Sequence, residues 1–284
     1  VPTRMPVAFL GHGSPLNALE SNRYTQAWAA FGRSVPTPRA ILAISAHWYI
    51  NATAVTSMRS PRTIHDFFGF PQDLFDVEYP APGAPELAEE IADLVHPTWV
   101  GADVDSWGID HGTWSVLTHA FPNADIPVVQ LSLNAYKPLD YHVDLGARLA
   151  ALRDRGVLIV ASGNVVHNLG ALDPQRPGAG FDWAHRFDED VLTVLHDRPG
   201  DAAALHEHAD YRKAVPTPDH FLPLLYVAGL TAEAGDRPAT LVDGVEYGSL
   251  SMTSYALGTD CPSADGDGHG AGLPETPEPS DTNL

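Results

Sequence analysis

The sequence predicts an α/β fold: a single domain with a central mostly parallel or mixed sheet and helices on both faces. Three observations predict it. Short apolar runs alternate along the chain with stretches of helical period. Those runs are continuously apolar, as in strands buried on both faces. The chain has 284 residues, enough for one large core, and no linker interrupts residues 1–258.

Taken in order, residues 6–10, followed by Gly-His-Gly, read as the first strand. Residues 24–31 have a helical pattern. Residues 39–45, with the run Ala-Ile-Leu-Ala-Ile-Ser, form the second strand. Residues 85–95 form a helix whose proline sits early, where its missing N–H costs little. Residues 111–121 follow as helix and 127–133 as strand. Residues 139–153 are an amphipathic helix, and Gly156 precedes the strand 157–162. Residues 181–196 and 201–211 read as helices, and 220–230 as an apolar helix. Residues 239–242 and 249–256 close the sheet.

Composition narrows the function. Lys and Arg number 16 against 36 Asp and Glu, a net charge of −20 that repels phosphate backbones, so no nucleic-acid partner is expected. No apolar run reaches the ~20 residues that span a bilayer, so no membrane partner is expected. Residues 1–6 lack the apolar run of a secretory signal. The one cysteine, Cys261, makes neither an internal disulfide nor a thiolate zinc cluster, which fits a cytoplasmic location. Residues 259–284 carry Asp260, Asp265, Asp267, Glu275, Glu278 and Asp281, with no Lys or Arg and much Pro and Gly. They read as a disordered tail.

The 14 histidines carry the chemistry. His12 and His47 follow apolar strands directly, and His167 comes shortly after a third. Ligands of open α/β sheets bind beyond the carboxyl ends of the strands, so parallel neighbours would gather these three imidazoles. His220 starts the apolar helix, and His111 starts the helix 111–121. Neutral imidazole is a common ligand for zinc and non-haem iron. His96, His119, His142, His185, His196, His206 and His208 lie on helices or helix ends among polar neighbours, as on a solvated face. No H-E-x-x-H, G-x-S-x-G, P-loop or G-x-G-x-x-G motif occurs.

Several further segments stand in a fixed order. They are Gly11-His12-Gly13-Ser14-Pro15, Ser45-Ala46-His47-Trp48, Thr63-Ile64-His65-Asp66-Phe67 and Tyr79-Pro80-Ala81-Pro82-Gly83. After them come Asp110-His111-Gly112, Ser162-Gly163-Asn164-Val165-Val166-His167-Asn168, Thr217-Pro218-Asp219-His220-Phe221-Leu222-Pro223 and Gly248-Ser249-Leu250-Ser251-Met252. Together they resemble the class III extradiol ring-cleaving dioxygenases, in the branch of the 4,5-DOPA dioxygenases, over the whole of residues 1–258. The resemblance implies one metal, with Fe(II) for activity and zinc as another occupant. It implies His12, His47 and His220 as ligands, and His167 as either a fourth ligand or the catalytic base. His111 would be a second donor to substrate or dioxygen. Where many class III enzymes complete the site with a glutamate, this chain has His220. Three neutral ligands leave the full +2 charge on the ion, which would raise its potential and favour zinc.

The implied partners are a small aromatic substrate, a catechol such as DOPA or a relative, and dioxygen. The aromatic stretch 65–71 reads as a lid or as a buried loop, with His65 and Phe67 as substrate contacts beside Ser14. Two other functions use the same residues. A zinc hydrolase needs an open metal position and a base. A binding protein of this fold would have lost the metal.

Overall fold

The computed structural model describes residues 4–261 together with 263, 269, 270, 272 and 273. The expected disordered tail therefore lies largely outside the described residues. In chain order the elements are β1 (Val7–Gly11), α1 (Arg23–Ser34), β2 (Ala40–Ile50), β3 (Ala54–Thr56), α2 (Gln72–Phe75) and α3 (Pro85–Leu94). There follow β4 (Gly101–Asp103), α4 (His111–Ala120), β5 (Val128–Asn134), α5 (Leu139–Leu149), α6 (Ala151–Asp154) and β6 (Val157–Gly163). The chain continues with α7 (Asp182–Asp197), α8 (Tyr211–Ala214), α9 (Leu222–Ala234), β7 (Ala239–Val242), β8 (Val245–Glu246), β9 (Leu250–Ser251) and β10 (Ser254–Leu257).

Among the described residues the main sheet has eight strands in the order β4-β3-β5-β2-β6-β1-β10-β7. The four central strands β5, β2, β6 and β1 run parallel. β10 and β7 add an antiparallel edge, and β3 is antiparallel to β5. The sheet is therefore mixed around a parallel centre. Successive strand residues point to opposite faces. Val7, Phe9, Leu42 and Ile44 pack in one core with residues of α5, α7 and α9. Ala8, Leu10, Ile41 and Ala43 pack in the other with residues of α1 and α4. Helices thus cover both faces, and the continuous apolar runs are explained.

α9 is buried from Leu222 to Thr231, as an all-round apolar helix must be. It ends where Gly235 takes a left-handed conformation (φ +65°). Asn22 caps α1, accepting from the Tyr24 and Thr25 N–H groups, with Thr25 bonding back.

Four expectations need correction. The strand expected to stop at Ser45 runs on to Ile50, so His47 lies within β2. Its pairing with β5 breaks register between Ile44 and Tyr49, around His47. The expected helix 201–211 is a 3-10 helix over Pro199–Glu207 followed by α8. α9 begins at Leu222, leaving His220 in the turn before it. The closing strand 249–256 splits into β9, which pairs with β8 in a separate hairpin, and β10.

Candidate metal centre

The register of the parallel strands builds the site. Gly11, the last residue of β1, pairs with Gly163, the last of β6, and Ser45 of β2 pairs with Ser162. The ends of β1 and β6 are therefore level, and the pairing of β2 with β6 stops one residue short of them, although β2 itself runs on. His12 follows one end directly. His47 leaves the break in β2, where irregular pairing re-aims a side chain. His220 is tied to the end of β6 through its carbonyl, which accepts the Asn164 N–H at 2.9 Å.

His12, His47 and His220 come together, with one ring nitrogen from each within 4.8 Å of the others. His12 and His220 are buried. The His12 Nε2 and His47 Nε2 atoms are 3.2 Å apart. Two of the rings have a hydrogen-bond partner on the opposite side, and the third has a carboxylate nearby without a hydrogen bond. His12 Nδ1 meets Ser162 Oγ at 2.9 Å. That hydroxyl donates its own proton to the Gly112 carbonyl, so its oxygen accepts from His12. His220 Nδ1 donates to Asp219 Oδ2 at 2.5 Å. His47 Nδ1 lies 3.3 Å from Asp66 Oδ2. With each Nδ1 carrying the hydrogen, all three Nε2 lone pairs point inward.

These residues fit a divalent metal. The His220 Nε2 atom is buried with no hydrogen-bond partner, an arrangement that costs about 1–3 kcal/mol unless something takes the lone pair. The His12 and His47 Nε2 atoms, 3.2 Å apart, can share one hydrogen between them, and with the hydrogens on Nδ1 instead the two lone pairs would repel unless a cation stood between them. Nitrogens bound about 2.0–2.1 Å from a tetrahedral cation sit about 3.3 Å apart, which turns the repulsion into coordination. Carboxylate or hydroxyl partners behind ligand imidazoles are the usual outer support of such a site.

Electrostatics keep the nitrogens available. Burial, reinforced by the neighbouring histidines, holds His12 well below its ordinary pKa. Burial and the adjacent His111 ring do the same for His47, against the opposing pull of Asp66. Both stay neutral, as metal binding requires. Burial works to raise Asp66, but the His111 and His47 rings overcome it and hold the carboxyl well below the usual range. Burial also works to raise Asp219, and His220 outweighs it. Two ionised carboxylates therefore stand one imidazole behind the ligands.

Around this centre, the His111 ring lies 3.8 Å from that of His47. Its Nδ1 and its backbone N–H both bond to Asp66 Oδ1, at 2.9 and 3.1 Å. Asp110 caps α4 and accepts from Ser45 Oγ (2.7 Å), Trp107 Nε1 (3.2 Å) and Gln130. His167 stacks on His220 with centroids 3.5 Å apart and planes 2° from parallel. Phe67 is buried, its ring edge-on to His111 at 5.4 Å. His65 Nε2 bonds to the Val77 carbonyl at 2.8 Å. Ser14 Oγ accepts the Leu16 N–H at 3.4 Å and caps a short 3-10 turn. Trp48 and Trp114 are buried, Trp48 stacking on Trp107 and Trp114 donating to the Ile64 carbonyl.

Sequence reasoning missed Asp66, Asp219 and Ser162 as supports. A signal was present: an Asp adjoins His65, His111 and His220 in the motifs. His142 was expected on a solvated face and is buried, its Nδ1 3.2 Å from the Tyr226 hydroxyl.

A family model described as the catalytic LigB subunit of aromatic ring-opening dioxygenase matches residues 11–258. The chain is 49% identical over 261 residues to a 4,5-DOPA dioxygenase extradiol of Escherichia coli K12, covering 90% of this chain and 96% of that one. It is 36% identical over 262 residues to a 4,5-DOPA dioxygenase extradiol of Beta vulgaris, covering 87% and 96%. A crystal structure of an uncharacterized Escherichia coli K12 protein matches with a TM-score of 0.79 and 41% identity, covering 89% of this chain and all of that one.

Proposed function

The chain belongs to the family of the catalytic LigB subunit of aromatic ring-opening dioxygenases and is an extradiol dioxygenase, and from that premise we propose that it opens a catechol ring at one iron(II) held by His12, His47 and His220. The observation that carries this reading is the convergence of three inward Nε2 atoms backed by Ser162, Asp66 and Asp219. Zinc is another occupant of the same donor set. The relatives named for DOPA make that amino acid, or a related catechol, the first substrate to examine. A cytoplasmic location completes the reading; among the described residues no helix is long and apolar enough to cross a membrane.

When bound, iron(II) acidifies a catechol hydroxyl and lets triplet dioxygen react with the ring carbon beside it. The protein's part is to place rings and move protons. His167 is assigned as the base rather than a fourth ligand. The His167 ring lies parallel to that of His220, 3.5 Å away, and so turns its face rather than its edge to it; it would stand beside a cation held by His12, His47 and His220 rather than among its ligands. Its backbone N–H is anchored to the Ala214 carbonyl at 2.8 Å. His167 would take the second hydroxyl proton of the catechol and hold it for return to the opened product, a role suited to imidazole near neutral pH. His111 Nε2 is buried without a hydrogen-bond partner and serves the substrate or dioxygen from the His47 side. Phe67, with His65 and Ser14, borders the aromatic ring.

The test is an anaerobic iron(II) titration followed by a catechol panel, with oxygen uptake and the yellow absorbance of the ring-opened semialdehyde recorded together. One dioxygen consumed per semialdehyde formed is expected. Full hydrolytic turnover on zinc, with no oxygen uptake on iron, would overturn the assignment.

A further inference from the structure

We propose that Asp66 is a positioning residue that fixes the tautomer of two histidines at once, the ligand His47 and the non-ligand His111. One carboxylate spans both. Its Oδ1 accepts from the His111 ring and from the His111 backbone N–H, at 2.9 and 3.1 Å. Its Oδ2 faces His47 Nδ1 at 3.3 Å. Behind His111 the bonded acceptor keeps the hydrogen on Nδ1 and the lone pair on Nε2; behind His47 the carboxylate makes no hydrogen bond, and its negative charge at 3.3 Å favours the same form electrostatically. His47 Nε2 then faces His12 Nε2 at the metal position, and the His111 ring, 3.8 Å from that of His47, keeps its Nε2 lone pair for the reacting molecule. His111 is thereby an acceptor in its neutral form, not the donor that the sequence alone suggests.

The loop that delivers Asp66 is pinned on both sides. Thr63 bridges to Ile109, and the Ile64 N–H bonds to the Ile109 carbonyl at 2.8 Å. Trp114 Nε1 donates to the Ile64 carbonyl, and the Tyr79 N–H to Thr63 Oγ1. This side chain is therefore held rather than free to swing. A carboxylate held against two imidazoles sets their angle as well as their protons.

The inference rests on His47 being a ligand, and its test reads more than activity. In zinc-loaded protein labelled with ¹⁵N-histidine, ring correlations report the tautomer of each histidine. The wild type should show His111 as a single Nδ1–H form. Asp66→Asn should give a tautomer mixture at His111 and weaken zinc binding about 10–100-fold in a chelator competition. Asp66→Glu, which keeps the charge, should restore the single form. A wild-type His111 protonated only at Nε2 would overturn the proposal without any variant. So would an Asp66→Asn protein with unchanged tautomer and zinc affinity within twofold. Absence of catechol cleavage by the wild type would remove the functional reading but leave the tautomer result to be judged separately.

Discussion

At His12, the nitrogen turned away from the pocket donates to Ser162, whose own proton goes to the Gly112 carbonyl. Ser162→Ala should therefore weaken metal binding about tenfold or more, as equilibrium competition against a chelator would measure, while leaving the fold intact. His142 allows a test away from the metal. Burial lowers it from the usual 6.5 to about 4, so the unfolded chain binds a proton that the folded one refuses between those values. Stability should fall as pH drops from 6.5 toward 4, by about 3 kcal/mol in all at ~1.4 kcal/mol per pH unit. Urea unfolding of His142→Gln should show that much less pH dependence. The convergence of His12, His47 and His220 was legible because histidine beside an apolar strand is uncommon chemistry. Their supports were not: Ser162 and Asp66 reach His12 and His47 across the fold, and no local spacing marks such pairs. His142 was misread although it leads the stripe His142, Leu145, Gly146, Leu149, all buried.

Among elements, the start of α4 packs directly against His47. A Cβ on Gly112 would stand 2.5 Å from Ser45 Oγ and 2.6 Å from His47 Cδ2. Gly112→Ala should push His47 off its position and lower metal affinity at least tenfold, with little loss of helix in circular dichroism. Unchanged affinity would mean that the start of α4 is free to move. The central strands and long helices were legible from apolar runs and helical period. β3, β4 and β8 were not, because two or three residues are too few for a pattern. β2 was read short because Ala46-His47-Trp48 breaks the apolar run, yet the break is what turns His47 to the pocket.

Over the whole molecule, β6 lies between β1 and β2 although it comes far later in the chain. That order brings His12, His47 and the His220 turn to one edge, and the motifs in sequence do not disclose it without the sheet. A metal bound only by the folded chain adds stability by linkage, about 4 kcal/mol at a thousandfold excess over the dissociation constant. Chelation should therefore move the urea midpoint down, and restored metal should return it. The central claim is that three imidazoles hold one ion and a fourth only works beside it. It is tested most directly by metal content in His12→Ala, His47→Ala, His220→Ala and His167→Ala, each dialysed against the same low free metal. The account predicts one metal per chain in the wild type and in His167→Ala, and almost none in the other three. A His167→Ala protein that loses its metal, or any of the other three that keeps it, would contradict the account.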